Sequence, residues 1–390
     1  MTAPPVRASD RPRVLEGPAL LSGLADGPGL VAHRRRYGDL PRVALDDLLA
    51  ALDRLHVRGR GGAAFPFATK LRTAAEGRRR PTVVVNLSEG EPASAKDTAL
   101  ALARPHLVLD GAVAVARALG AREVHLVLPC ERPRAVAAVE AALAERHDRL
   151  RTVLHTADAR FVAGQARAVL ELMAGRANLP VTAWTPEAVA GHRGRPTLLS
   201  NAETWAQVGR LVLVGEQRYA ALGTVEEPGT TLLTISGTTP RVHEVPYGTP
   251  WREVLPEEWA GRPVLLGGFH GTWVPWEDLA ARTVSVAAMR AAGTPLGAGV
   301  VVCPDEPPPA YTARVVDYLA AQSARRCGPC LNGLPALAAA VHGVADGSGD
   351  AERRAAELAG LVSGRGACAH PDGTARLVRS LLALRAEVAS

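Results

Sequence analysis

Two short apolar runs, Thr82-Val83-Val84-Val85-Asn86 and Val124-His125-Leu126-Val127-Leu128, constrain the fold of this chain more than any other feature. Both are bounded by turn residues and lack the apolar/polar alternation of a half-exposed strand, so each suits a strand buried on both faces. Between them, Leu107 to Leu119 has helical spacing and the length of a crossover. Strand, helix and strand in that order predict a parallel sheet covered by helices, with ligands at the carboxyl ends of the strands.

The 390 residues suffice for two or three domains. Segment 1–20 reads as a flexible tail and 21–213 as the layered α/β domain, with helical spacing from Leu45 to Leu55 and again from Ala68. From 214 to 292 short strands alternate with turns, at Thr231 to Gly237, Val242 to Val245 and Val264 to Gly268, which predicts a small β-rich domain. A proline-dense connector, Pro304 to Pro309, leads into helical stretches at Tyr311 to Arg326, Leu331 to Val341, Ala351 to Val362 and Ala375 to Val388. Residues 293–390 therefore should form a helical bundle.

The net charge of +6 comes mostly from arginine, including the blocks Arg34-Arg35-Arg36 and Arg78-Arg79-Arg80. With only 4% aromatic residues and no basic face interleaved with rings, nucleic acid is not an expected partner. The first twelve residues lack a secretory apolar segment, and no apolar run reaches membrane-spanning length, so a cytoplasmic chain without a direct membrane span is expected. Five cysteines, four of them after Ala292, point to metal or redox chemistry at a subset rather than to a disulfide framework. Cys130 and Cys303 close apolar runs and are expected to pack as small hydrophobes.

Three constellations carry possible chemistry. In Gly59-Arg60-Gly61-Gly62-Ala63-Ala64-Phe65-Pro66, followed by Lys70 and Arg72, glycines permit close approach of backbone amides to a phosphate and the cations add charge; a plain turn between two helices is the alternative. Asn86-Leu87-Ser88-Glu89-Gly90-Glu91-Pro92, then Lys96-Asp97, puts an amide and carboxylates at a strand end, where they suit the polar edge of a bound ring system or, alternatively, a solvated loop. Cys327-Gly328-Pro329-Cys330 with the later Cys368 offers three thiolates for one metal centre. A thioredoxin-like dithiol is disfavoured because a helix, not a strand, precedes it, whereas structural zinc completed by His370 stays open.

The glycine loop with its downstream Lys70, the NLSEGEP loop with Lys96-Asp97, and Ser200-Asn201-Ala202-Glu203-Thr204 occur in one order and at spacings that resemble the flavin- and iron–sulfur-carrying, NADH-binding subunit of the respiratory NADH:quinone oxidoreductases. The resemblance extends over roughly residues 20 to 390. It implies FMN held by Gly59, Arg60, Gly61, Gly62, Phe65, Lys70, Asn86, Glu89, Asn201 and Thr204, with Phe65 on the nicotinamide side and Glu91 and Phe65 as catalytic residues. It also implies a ubiquitin-like fold for the β-rich domain, NAD(H) as a possible substrate, and a [4Fe–4S] cluster on Cys327, Cys330 and Cys368. The family's first cluster cysteine falls at Ala324, so three thiolates with another fourth ligand, or a [3Fe–4S] cluster, are the forms expected. Other redox subunits, a ferredoxin-like or complex I-like iron–sulfur protein among them, are the implied partners, and they would reach the inner face of a membrane on the chain's behalf.

The departures from the family pattern fall mainly on the dinucleotide side. Thr73 stands where a second aromatic sandwiches the adenine, Gly164-Gln165-Ala166 replaces GEE, Ala183-Trp184-Thr185-Pro186 replaces a proline-rich loop, and Ser88 replaces an aspartate. FMN binding is therefore the firmer expectation. NADH oxidation is weighed against a relay fed by a ferredoxin-like donor, and against a cofactor-free scaffold.

Overall fold

The structure, a computed structural model, describes residues 3–236 and 240–389. Residues 1 and 2 of the expected tail and Gly237 of the expected strand lie outside the described residues. Strands β1 (Arg13–Val14), β2 (Thr82–Asn86), β3 (Glu123–Pro129), β4 (Arg151–Ala157), β5 (Thr197–Asn201), β6 (Thr230–Ile235), β7 (Arg241–Pro246), β8 (Val264–Leu266), β9 (Thr272–Val274) and β10 (Val300–Val302) form two sheets.

The first sheet has the order β4-β3-β2-β5 and every pair in it is parallel. All five residues of β2 are buried, as a central strand covered on both faces requires. The expected crossover is the Pro105–Ala118 helix, with proline at its first position, where its missing N–H costs nothing. It crosses the Ala202–Ala220 helix with backbone touching backbone at Gly111 and Gly209. A Cβ on Gly111 would collide with the Trp205 carbonyl oxygen, and one on Gly209 with that of Leu107. Trp205, fully buried on the same helix, donates its indole N–H to the carbonyl oxygens of Val84 and Ser200, each at 3.0 Å. Together these contacts fix the first turn of the Ala202–Ala220 helix at the carboxyl edge of the sheet.

The second sheet, ordered β1-β7-β6-β10-β8-β9, draws strands from outside the expected 214–292 segment. β1, within the expected flexible tail, pairs in parallel with β7, and the neighbouring amides of Ala19, Leu20 and Leu21 donate to the buried Glu244 carboxylate. Central β10 pairs with β6 and β8. Strands of two or three residues are too short to show a period, so pairing and not local pattern creates them.

The C-terminal helices Pro308–Gln322, Leu334–Ala345, Ala351–Val362 and His370–Ala389 bury Val315, Leu319, Leu337, Val341, Leu358 and Leu381 in a shared core. Helix does not continue to Arg326 as its periodicity suggests. The chain leaves it after Gln322, Arg325 takes a positive φ of 54°, and Pro329–Gly333 forms one wide turn before the next helix. The last helix starts earlier than expected, at His370, immediately after Cys368-Ala369. Among the described residues no single helix is long and apolar enough to cross a membrane.

Because backbone atoms cannot yield as side chains do, Gly111→Ala is expected to cost about 3 kcal/mol, at the upper end of overpacking effects. Urea denaturation measures it; a loss under about 0.5 kcal/mol, typical of an unconstrained surface site, would mean that the two helices do not meet so closely.

Candidate functional site

Parallel pairing sets Asn86, the last residue of β2, opposite Asn201, the last residue of β5. Asn201 then caps the Ala202–Ala220 helix, its side-chain oxygen accepting from the Thr204 amide at 3.3 Å. The Thr204 hydroxyl in turn accepts from the backbone N–H of Arg60 at 2.9 Å, so the glycine loop is tied to this helix N-terminus. The loop closes on itself where Gly59 N donates to the Phe65 carbonyl oxygen at 2.8 Å. An added Cβ on Gly61 would meet no atom within 4 Å, so the loop has open space on that side. Lys70 Nζ sits 2.7 Å from both the Leu199 carbonyl oxygen and a Glu187 carboxylate oxygen, and the Phe65 ring is 53% exposed.

Backbone amides at an open glycine loop, a helix N-terminus and a lysine make a donor set that suits the phosphate of FMN. The Asn86 side chain, which donates to the Gly164 carbonyl oxygen at 2.8 Å and accepts from the Ser88 amide and hydroxyl, stands beside it as a fixed polar group. The residues present thus fit the cofactor. The Arg60 side chain points elsewhere: it is buried, 4.9 Å from the centre of the Tyr247 ring and 3.9 Å from a Glu203 oxygen. Arg60 therefore meets the open side through its backbone and braces the loop with its side chain.

The loop also lines a pocket open to solvent, with Gly59, Arg60, Gly62, Lys96, Glu203 and Arg290 among its walls and Asn86 outside them. Lys96 Nζ bridges Asp97 and Glu203 there, 3.0 Å from each, a buried arrangement visible in the sequence only as KD and NAET. Glu89, with φ of 38°, spends its carboxylate on the start of the Lys96–Ala103 helix, accepting from the amides of Asp97 and Thr98 and the hydroxyls of Ser94 and Thr98. Glu91 accepts from Phe269 N at 2.8 Å and Ala93 N at 3.2 Å, and burial raises its carboxyl to a pKa of about 7. The acidic loop thereby joins the parallel sheet's edge to the β8–β9 turn.

Cys327, Cys330 and Cys368 come together. Burial first, and the neighbouring Cys327 and Cys368 after it, push the Cys330 thiol up to about 12. Ala324 is buried and has no ligating atom. His370, by contrast, is committed elsewhere: one ring nitrogen lies 2.8 Å from the Leu319 carbonyl oxygen and the other 3.2 Å from His270 Nε2. Among the described residues no three His, Cys, Asp or Glu groups converge on a single ion. A cluster takes one cysteine per iron, and three thiols suit such a donor set, whereas both ring nitrogens of His370 are already occupied. Of the other two cysteines, Cys303 is buried as expected, whereas Cys130 is exposed beside Glu131.

On the dinucleotide side Thr73 offers no ring and donates its hydroxyl to the Thr69 carbonyl oxygen at 2.9 Å. Ala183 and Trp184 lie on a loop tethered through Glu187 to Lys70, and the Trp184 ring is 94% exposed. Ala166 begins a helix with no polar side chain to present.

Residues 52–210 match the model of the Nuo51 FMN-binding domain, and residues 310–387 match that of the NADH-ubiquinone oxidoreductase-F iron-sulfur binding region. The chain belongs to the F-type family of NADH-quinone oxidoreductase subunits. The second F-type NADH-quinone oxidoreductase subunit of Rhizobium meliloti is 29% identical over 93% of this chain and 92% of its own length, and the F-type subunit of Streptomyces coelicolor is 27% identical over 87% and 81%. An NAD+-reducing [NiFe]-hydrogenase in its air-oxidized state superposes with a TM-score of 0.80 at 27% identity; this chain is 96% covered and spans 66% of that one. As a family member the chain is an FMN- and iron–sulfur-dependent oxidoreductase subunit that passes electrons from flavin to cluster.

The raised pKa of Glu91 has a pH signature. Below about 4.5 the carboxyl is protonated in both states; between there and about 7 only the folded chain keeps the proton, so this stabilisation is lost as pH rises through 7. Glu91→Gln should remove up to about 3 kcal/mol of the pH 5 to pH 8 decline in urea-denaturation stability. An unchanged decline would place the Glu91 proton outside the folding equilibrium.

Proposed function

We propose that FMN sits over the open face of the glycine loop, its phosphate against the Gly61 side of the loop, the first turn of the Ala202–Ala220 helix and Lys70, and its ring edge near Asn86. What carries this reading is the hydrogen bond from Arg60 N to Thr204 Oγ1, which fixes the loop to that helix N-terminus. Asn201 and Glu89 act beneath the cofactor by capping the helices that present it, while Phe65, exposed at the loop's tip, closes the side from which a nicotinamide ring would approach. Bound FMN supplies the conversion of a two-electron hydride into single electrons. Burial raises the Glu91 carboxyl to a pKa of about 7, so it carries only part of its charge at neutrality. Cys327, Cys330 and Cys368 hold the cluster, with the place at Ala324 left to a ligand that is not cysteine.

NADH is the proposed hydride donor. Thr73, without a ring for adenine, favours a second reading in which a ferredoxin-like protein feeds the flavin. Other redox subunits, a complex I-like iron–sulfur protein among them, would take the electrons onward, with the chain in the cytoplasm and held at the inner face of a membrane by those partners.

Gly61 has ordinary backbone angles and faces open space, so Gly61→Asp should keep folding stability within about 0.5 kcal/mol. Its carboxylate beside the phosphate should weaken FMN binding by roughly tenfold or more, equivalent to about 1.4 kcal/mol. Fluorescence titration of the apoprotein with FMN measures this, and unchanged affinity would move the phosphate elsewhere. Cys368→Ser should lose iron and the broad cluster absorbance while retaining one FMN per chain.

A further inference from the structure

Lys70, the lysine of the donor set, is already engaged. Its Nζ donates to the Leu199 carbonyl oxygen and meets a Glu187 carboxylate oxygen, each at 2.7 Å, and the two side chains are only 22% and 18% exposed. An ammonium has three N–H donors, so one remains for a ligand oxygen. The backbone that carries Glu187 is fixed at two points. Its carbonyl oxygen accepts from the amide of Thr197, the first residue of β5, at 2.8 Å, and Arg167 donates to the carbonyl oxygen of Thr185, two residues earlier. Gly191 packs so closely on Thr197 that a Cβ there would stand 2.5 Å from the Thr197 side chain. Burial acts against charge on Glu187, but Lys70 outweighs it and holds the carboxyl below the usual carboxylate range. A fixed negative charge therefore shares the ammonium assigned to the flavin phosphate.

We propose that Glu187 sets how tightly this chain holds a phosphate-bearing flavin, its carboxylate competing with the FMN phosphate for Lys70 and weakening FMN relative to unphosphorylated riboflavin. The inference rests on the FMN placement above. Two effects of the carboxylate oppose each other. Holding the lysine in place helps FMN, whereas offsetting its charge and repelling a phosphate dianion hinders it. The Leu199 carbonyl already holds the ammonium at the same distance, so the first effect is duplicated and the second is not. Because its backbone is anchored to β5, Glu187 cannot swing aside with the loop as a phosphate arrives. Riboflavin shares the ring and the ribityl chain of FMN but has no phosphate for Glu187 to repel.

The test is fluorescence titration of the full chain, as apoprotein, with FMN and with riboflavin at one ionic strength. Glu187→Gln keeps the shape and removes the charge; it should tighten FMN roughly tenfold, the scale of one like-charge contact partly screened by solvent, and leave riboflavin where it is. Glu187→Ala should do the same, with no amide to take the carboxylate's place on the lysine. Lys70→Met should weaken FMN and not riboflavin, which checks the placement. A ratio of FMN to riboflavin affinity that rises in neither Glu187 variant, with Lys70→Met behaving as expected, overturns the proposal and leaves the placement standing. Equal loss of affinity for both flavins makes Glu187 a structural brace and overturns it as well. If Lys70→Met leaves FMN unchanged, the phosphate is not at Lys70, and placement and proposal fall together.

Discussion

Parallel pairing of β2 with β5 is the constraint on which the rest of the site depends. It puts Asn86 and Asn201 side by side at the carboxyl edge, and from those two positions the chain builds in opposite directions. Asn201 starts a helix whose Thr204 anchors the glycine loop, while Asn86 turns into the acidic loop and holds the stretch that follows β4. A register slip of one residue would turn one of the two asparagines to the other face of the sheet and uncouple loop from helix. The close crossing at Gly111 and Gly209 and the indole of Trp205, bonded to both strands, oppose such a slip.

Charge is buried under this edge, and each buried group has partners. Lys96 lies between Asp97 and Glu203, and Glu203 also accepts from Leu232 N at 2.9 Å on β6, so the ion cluster joins the two sheets. Burial raises the Asp97 carboxyl above its usual range in spite of the lysine beside it. Replacing one member alone would strand the others without solvent, a larger penalty than the net contribution of the set. Glu91 does comparable work farther along, a carboxyl that serves as a bracket to Phe269.

Much of this is legible in the sequence where a period or a motif is long enough. The buried runs of β2 and β3, the crossover helix and the glycine loop stand where the residues predict them. The short strands β1 and β10 are not legible, since Arg13–Val14 and Val300–Val302 exist only because a neighbour supplies their hydrogen bonds. Motif reading also puts Arg60, Asn201 and Glu89 together as ligand contacts, whereas their side chains brace the loop, cap one helix and start another. The contacts of the stretch after β4 are hidden for a different reason: Phe161 meets Gln322 and His370 far along the chain, and only the fold joins them.

The central claim is a single electron path from a flavin on the carboxyl edge of the parallel sheet to a cluster on Cys327, Cys330 and Cys368. Anaerobic titration of the reconstituted protein with NADH, with dithionite as the control reductant, tests it most directly when flavin absorbance and the cluster's paramagnetic signal are followed together. Bleaching of the flavin accompanied by growth of the cluster signal is the predicted result. Flavin that NADH bleaches beside a cluster that only dithionite reduces would contradict the account.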